Sequence, residues 1–113
     1  MNSRGQRAEA LAAAFLERKG LRIIERNWSS RFGEIDLIAR DGEALVFVEV
    51  RERKSAAFGG AAASITAAKR EKLTRTALAY LSGNARQPAC RFDAVLIDGT
   101  GKIEWLRDAF SAV

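Results

Sequence analysis

Apolar residues return at helical spacing through the first twenty positions, where Ala8, Leu11, Ala12, Phe15 and Leu16 share one face. Ser3 and Gln6 have capping-box spacing, and Gly20 stands where a left-handed residue ends a helix. The pattern therefore predicts a helix over residues 3–20. The period then changes. Residues 21–28 set Ile23 and Ile24 among charges, residues 34–39 alternate, and residues 45–51 are rich in β-branched and aromatic side chains. Three strands are expected. Between the last two lie Arg40, Asp41, Gly42 and Glu43, and Asp-Gly is a favoured centre for a two-residue hairpin turn. Small, Gly-rich residues over 55–63 read as a loop. A second helix is expected from Thr66 to Ser82, with Leu73, Ala77, Tyr80 and Leu81 as its core face and Gly83 as its stop. Residues 91–97 form a near-continuous apolar strand, and a turn over 98–101 leads to a last strand over 102–106. The order helix, strand, strand, strand, helix, strand, strand indicates an α/β fold with a mixed sheet. At 113 residues, one domain over 1–113 is expected.

Composition narrows the chemistry by what is missing. There is no histidine, which removes Ser-His-Asp and Cys-His nucleophilic sites, imidazole metal centres and histidine bases. The lone cysteine, Cys90, can form neither an internal disulfide nor a structural zinc site. No apolar run approaches the roughly 20 residues that span a bilayer, and Glu9 and Glu17 interrupt the apolar N-terminal segment where a signal peptide would be unbroken. A cytoplasmic protein without a membrane partner is expected. The net charge of +5 and pI near 10 favour a polyanionic partner, nucleic acid before membrane.

The hairpin brings candidate chemistry together. If Asp41 and Gly42 form the turn, Arg40 pairs with Glu43, Asp36 faces Phe47, and Glu34 faces Glu49. Alternation then projects Glu34, Asp36, Phe47, Glu49 and Arg51 from one face. Asp36 and Glu49 become diagonal neighbours about 7–8 Å apart, a span one divalent cation can bridge. Glu34 opposite Glu49 is repulsive, and carboxylates sharing a site raise one another's pKa. A hard cation with oxygen ligands offsets both effects, and Mg²⁺ or Mn²⁺ suits carboxylates completed by water and substrate phosphate. The plain alternative is a set of solvated acids on an exposed sheet face. Against it, Ile35, Leu37, Val46, Val48 and Val50 supply one apolar face, while Ile38, Leu45 and Phe47 make the acidic face partly apolar. Both faces look covered, and buried acids need partners.

Cations surround these acids in sequence. Arg51 shares the face of Glu49 and can pair with it or neutralise charge developing on phosphate, but a guanidinium cannot act as a base. Water activation then falls to the metal or to Lys69, whose default role is a surface charge. Arg51, Arg53 and Lys54 leave the third strand, and Lys69, Arg70, Lys72 and Arg75 open the second helix. A basic rim around an acidic metal cluster is what phosphodiester cleavage needs. For Arg70 and Arg75 a solvated helix face is the better expectation. Trp28, Phe32 and Phe58 lie beside loops where they could stack on bases; Trp28 and Phe32 are more often packing residues, and Phe58 is the stronger candidate. Asp93 is expected to be a structural acid paired with an arginine, outside the site.

The segments G-E-I-D-L-I at 33–38 and V-F-V-E-V-R at 46–51, with Gly5, Ala8 and Glu9 in the first helix and R-F-D at 91–93, closely resemble the YraN-type bacterial proteins over nearly the whole chain. That family is similar to the restriction-endonuclease-like superfamily, nearest in pattern to archaeal Holliday junction resolvases. The resemblance implies a metal-dependent endonuclease acting on structured or branched DNA. It assigns Asp36 to the metal-binding aspartate, Glu49 to the acid of the E-x-K element, and Glu9 to the first-helix glutamate that completes the site. Arg51 stands where the superfamily usually carries its catalytic lysine. Either another lysine such as Lys69 substitutes, or the protein binds nucleic acid without cutting it. A homodimer would suit a two-strand cut.

Overall fold

In the computed structural model, which describes residues 3–53, 65–83 and 88–110, the elements are α1 (Ser3–Arg18), β1 (Arg22–Ser30), β2 (Gly33–Asp41), β3 (Ala44–Arg53), α2 (Ala67–Leu81), β4 (Cys90–Asp98) and β5 (Ile103–Phe110). Lys54, Phe58 and the 55–63 loop lie outside the described residues, as do the side chains of Ser3 and Arg53.

The helix ends follow from their sequences. At the end of α1 the Leu21 N–H donates to the Leu16 carbonyl at 3.0 Å and the Gly20 N–H to the Glu17 carbonyl at 3.0 Å. That is a Schellman closure, and Leu16 and Leu21 are both buried beside it. At the start of α2 the Thr66 hydroxyl accepts the Lys69 N–H at 3.2 Å, satisfying one of the donors a helix N-terminus leaves open.

The five strands form one sheet in the order β1-β2-β3-β4-β5, parallel only between β3 and β4. Both strands of the parallel pair are nearly continuous apolar runs, as strands covered on both faces must be. Ala8, Ala12, Ala13 and Leu16 of α1 pack on Leu37, Ala39, Val46, Val48, Val95 and Ile97. Leu73, Ala77 and Leu81 of α2 pack on Ile35, Ile38, Leu45, Phe47, Phe92 and Ala94. The two helices thus cover opposite faces of the sheet. Leu11, expected in the α1 core face, is 45% exposed; Ala13 takes its place, because the helix meets the sheet through its small residues.

The hairpin register differs from expectation. Asp41 pairs with Ala44, Arg40 with Leu45, Ile38 with Phe47 and Leu37 with Val48. The turn residues are therefore Gly42 and Glu43, with Gly42 at φ +62°. A left-handed glycine at the first of two turn positions is the type II′ arrangement, whereas the expected register put it second. The correction moves each pairing by two residues, so the side chains of the paired residues, Leu37 to Asp41 and Ala44 to Val48, keep their faces. It changes the partners. Asp36 lies one step past Leu37, on the rung of Glu49, and neither Phe47 opposite Asp36 nor Glu49 opposite Glu34 is observed.

β2 and β3 pair no further than Leu37 and Val48, whereas β2 stays with β1 as far as Gly33 and β3 stays with β4 to its end. The centre of the sheet therefore forks at Asp36 and Glu49. Ile35 lies in the α2-side cluster with Ile38, so it does not share a face with Leu37 as alternation predicts.

Candidate metal and nucleic-acid site

Asp36 stands at the fork. Its Oδ2 accepts the Val50 N–H at 2.8 Å, so a side chain on β2 replaces the backbone acceptor that a continued ladder would give β3. This points the carboxyl toward β3 rather than onto either face. Its pKa is pushed up to about 8, first by burial and then by a hydrogen bond to Glu49 and the charge of Glu49. The Val50 N–H pulls the other way, and Glu9 adds a smaller upward push.

Three carboxylates converge here from two elements. Glu9 on α1, Glu34 and Asp36 on β2 each offer an oxygen within 4.8 Å of the others. Glu9 and Asp36 are half-buried and Glu34 is exposed. An all-oxygen donor set of this spacing fits a hard divalent cation such as Mg²⁺ or Mn²⁺. Burial is the largest cause of the upward shift on Asp36, and the charges of Glu49 and Glu9 add to it, so a cation placed among these acids would favour the ionised carboxyl.

Glu49 occupies the other side of the constellation. It is only 7% exposed and sits at the end of the ladder on β3. Lys69 Nζ on α2 lies 3.0 Å from its Oε2, and Arg51 Nε lies 3.6 Å from the same oxygen. The structure thus divides the four expected metal ligands. Glu9, Glu34 and Asp36 gather together, while Glu49 joins Asp36 to the cations. Lys69 is the residue whose position was least legible. It is not merely a surface charge, since the first turn of α2 carries it over the fork.

A cleft of about 360 Å³ opens here, lined by Gly33, Glu34, Asp36 and Glu49 on one side and by Lys69, Lys72 and Thr76 on the other. Carboxylates and lysines therefore face one volume. Gly33 makes the close approach of α2 possible: at φ +149°, an added Cβ would stand 3.1 Å from the Thr76 hydroxyl. That hydroxyl is held against the Lys72 carbonyl at 2.8 Å.

The remaining candidates fall elsewhere. Arg53 ends β3, and its backbone stays paired with Asp98. Trp28 packs in the α2-side core, edge-on to Tyr80 at 5.2 Å between centroids. Phe32, in the β1–β2 turn, lies under the Arg31 guanidinium at 4.9 Å. Arg75 pairs with Glu71 at 2.9 Å on the exposed face of α2. Asp93, fully buried, accepts from Arg91 Nε, Trp105 Nε1 and the Asp108 N–H, each at 2.9 Å. It is the structural acid expected, with its carboxylate satisfied by β4 and β5. Among the described residues no helix is long and apolar enough to cross a membrane.

Comparison with known sequences agrees with the resemblance in the motifs. The profile of the Uncharacterised protein family UPF0102 matches residues 8–97, from α1 through nearly all of β4. A UPF0102 protein of Nitrosomonas europaea is 56% identical over 110 residues, covering 96% of this chain and 93% of its own. One from Dechloromonas aromatica is 57% identical over 110 residues, covering 97% of this chain and 90% of its own. A third, from Ectopseudomonas mendocina, is 46% identical over 115 residues, with 98% and 97% covered.

Proposed function

The chain belongs to the UPF0102 family, and we propose that it is a metal-dependent endonuclease that hydrolyses phosphodiester bonds in structured or branched DNA, on a restriction-endonuclease-like core. The observation that carries this is the fork in the sheet, where Glu34, Asp36 and the lysine-paired Glu49 line one cleft and Glu9 of α1 converges on the first two. Glu9, Glu34 and Asp36 would hold Mg²⁺ or Mn²⁺. Such an ion would supply Lewis-acid chemistry and water activation to the reaction.

The chain's own groups do the rest. Glu49 keeps Lys69 Nζ and Arg51 beside the acids, where their charges can meet a phosphate rather than the open solvent. Arg51 stays protonated, so its part is charge neutralisation and not proton transfer. Lys72, one turn along α2 from Lys69, offers a second phosphate contact on the cleft wall. Arg53, Lys54 and Phe58 would extend the contact along the nucleic acid. A homodimer would place two such sites for a two-strand cut, and a cytoplasmic setting follows from the substrate.

The test is incubation of the purified protein with labelled four-way junctions, flaps, linear duplex and RNA, with and without Mg²⁺ or Mn²⁺, beside a Glu49→Ala control. Metal-dependent cleavage lost in the control is expected. Cleavage that survives Glu49→Ala would mark a contaminant and sink the assignment. Salt-sensitive binding with no cleavage would select a non-catalytic nucleic-acid-binding protein, the reading favoured by an arginine at position 51.

A further inference from the structure

Among the described residues, Asn27 and Asp108 are the non-glycine residues with positive φ, and Asn27, at +51°, sits on the rung of Asp36. The β1–β2 register runs through Arg26 with Leu37 and resumes at Trp28 with Ile35, leaving Asn27 and Asp36 as the pair passed over. Both strands change phase at this rung. Leu37 packs on the α1 side, while Ile35, two residues away, packs on the α2 side. Trp28, the partner of Ile35, lies on the α2 side as well. Two residues apart on a regular strand share a face, so one step of alternation is lost at Asp36 and matched at Asn27.

The match has a mechanical reason. Beyond Leu37, β2 leaves β3 and remains paired with β1 down to Ser30 and Gly33. β1 can follow that departure only by bending where β2 bends. A left-handed residue supplies such a bend, and asparagine adopts that conformation more readily than other side chains except glycine. Breaks in pairing of this kind commonly re-aim a side chain at a functional site.

We infer that Asn27 is a positioning residue: its left-handed backbone lets β1 hold the departing segment of β2, which turns the Asp36 carboxyl toward β3 and into the carboxylate cluster. Asn27 touches no ligand itself; it acts through Asp36. The assignment of Asp36 to metal binding rests on the function proposed above, whereas the Asp36 to Val50 hydrogen bond does not.

The experiment compares Asn27→Gly, which keeps the left-handed conformation, with Asn27→Val and the milder Asn27→Ala, which disfavour it. Two quantities are read on the full chain: Mn²⁺ affinity, and the Val50 amide resonance with and without Asp36→Asn. In the wild type and in Asn27→Gly, Asp36→Asn is expected to move the Val50 amide, and Mn²⁺ affinity is expected to agree. In Asn27→Val and Asn27→Ala the Val50 amide should no longer respond to Asp36→Asn. Mn²⁺ should bind about 10–100-fold more weakly, as when a group orienting a ligand is removed. Simple destabilisation would lower the melting temperature and leave the amide response in place. Such a result, or loss of the response in Asn27→Gly, overturns the assignment. If the wild type takes no Mn²⁺, the metal reading of the site fails, and the Val50 amide alone decides the role of Asn27.

Discussion

Lys69 on α2 reaches Glu49 on β3 with 3.0 Å between Nζ and Oε2, closing the cleft at the point where β2 and β3 part. The glutamate is almost fully buried and the lysine about one-third exposed, so the pair is neither a free surface contact nor a fully desolvated one. Lys69→Met is expected to lower stability by on the order of 1 kcal/mol, between the values for exposed and buried pairs. On the proposed reaction it should cost about 10²–10³ in rate, the range for removing one group that stabilises developing charge. Lys69→Arg should recover stability more fully than rate. Single-turnover cleavage and thermal melting check the two halves, and an unchanged rate would remove Lys69 from the reaction.

Asp36 makes the metal-free protein sensitive to pH. Its carboxyl titrates near 8 in the folded chain against 3.8 for the ordinary group. Between these values the folded chain retains a proton that the unfolded chain has released. Stability from this group is therefore complete below about 3.8 and falls as pH rises through about 8. Asp36→Asn removes the titration. In EDTA its melting temperature should match the wild type near about pH 4, exceed it increasingly up to about pH 8 and hold that difference above it. A difference that does not vary with pH would show that the carboxyl is not held in its proton-bearing form.

The acids are legible in the sequence because their spacing depends only on hairpin closure and the two-residue period of a strand. Even with the turn placed one residue early, Asp36 and Glu49 stay neighbours across β2 and β3, since the shift moves Asp36 from diagonal to Glu49 onto its rung. Two features escape that logic. The phase change at Asn27 and Asp36 comes from the divergence of two strands, which no local periodicity encodes. The approach of Lys69 depends on where the helix between β3 and β4 lands, and its first turn alone carries no sign of Glu49. Leu11 shows the converse error: a hydrophobic residue at the right spacing stays exposed because the small residues Ala8, Ala12 and Ala13 let α1 sit close to the sheet.

Gly33 sets how near α2 can come. Gly33→Ala would place a methyl 3.1 Å from the buried Thr76 hydroxyl in a backbone conformation that L side chains rarely adopt. A loss of about 1–3 kcal/mol is expected from overpacking and backbone strain. Differential scanning calorimetry should show a drop of several degrees, and pairing the change with Thr76→Ser should not restore it, because the hydroxyl oxygen remains. Full restoration by Thr76→Ser would place the clash on the methyl of Thr76 instead.

Trp105 holds the far end of the sheet by donating to Asp93 Oδ2 at 2.9 Å. Trp105→Phe keeps an aromatic ring against Phe15 but leaves a carboxylate with zero exposure short of one donor. The expected cost is about 1.5–3 kcal/mol, the range for hydrogen bonds to charged groups. Chemical denaturation should report it as a lower midpoint with an unchanged slope. A variant as stable as the wild type would mean that Arg91 and the Asp108 amide satisfy Asp93 without the indole.

The fork also orders events in time. Asp36 and Glu49 sit on one hairpin, so they meet as soon as a turn of two residues closes, on the order of microseconds. Lys69 can join them only after α2 has formed, and α2 is fixed in place by the later pairing of β3 with β4. A growing chain therefore brings Asp36 beside Glu49, with Arg51 on the same strand, before Lys69 can reach them. In the hairpin alone Arg51 is the cation paired with Glu49, and the crossover that completes the sheet adds Lys69. The segment that makes β3 and β4 parallel is also the one that delivers Lys69 to the cleft.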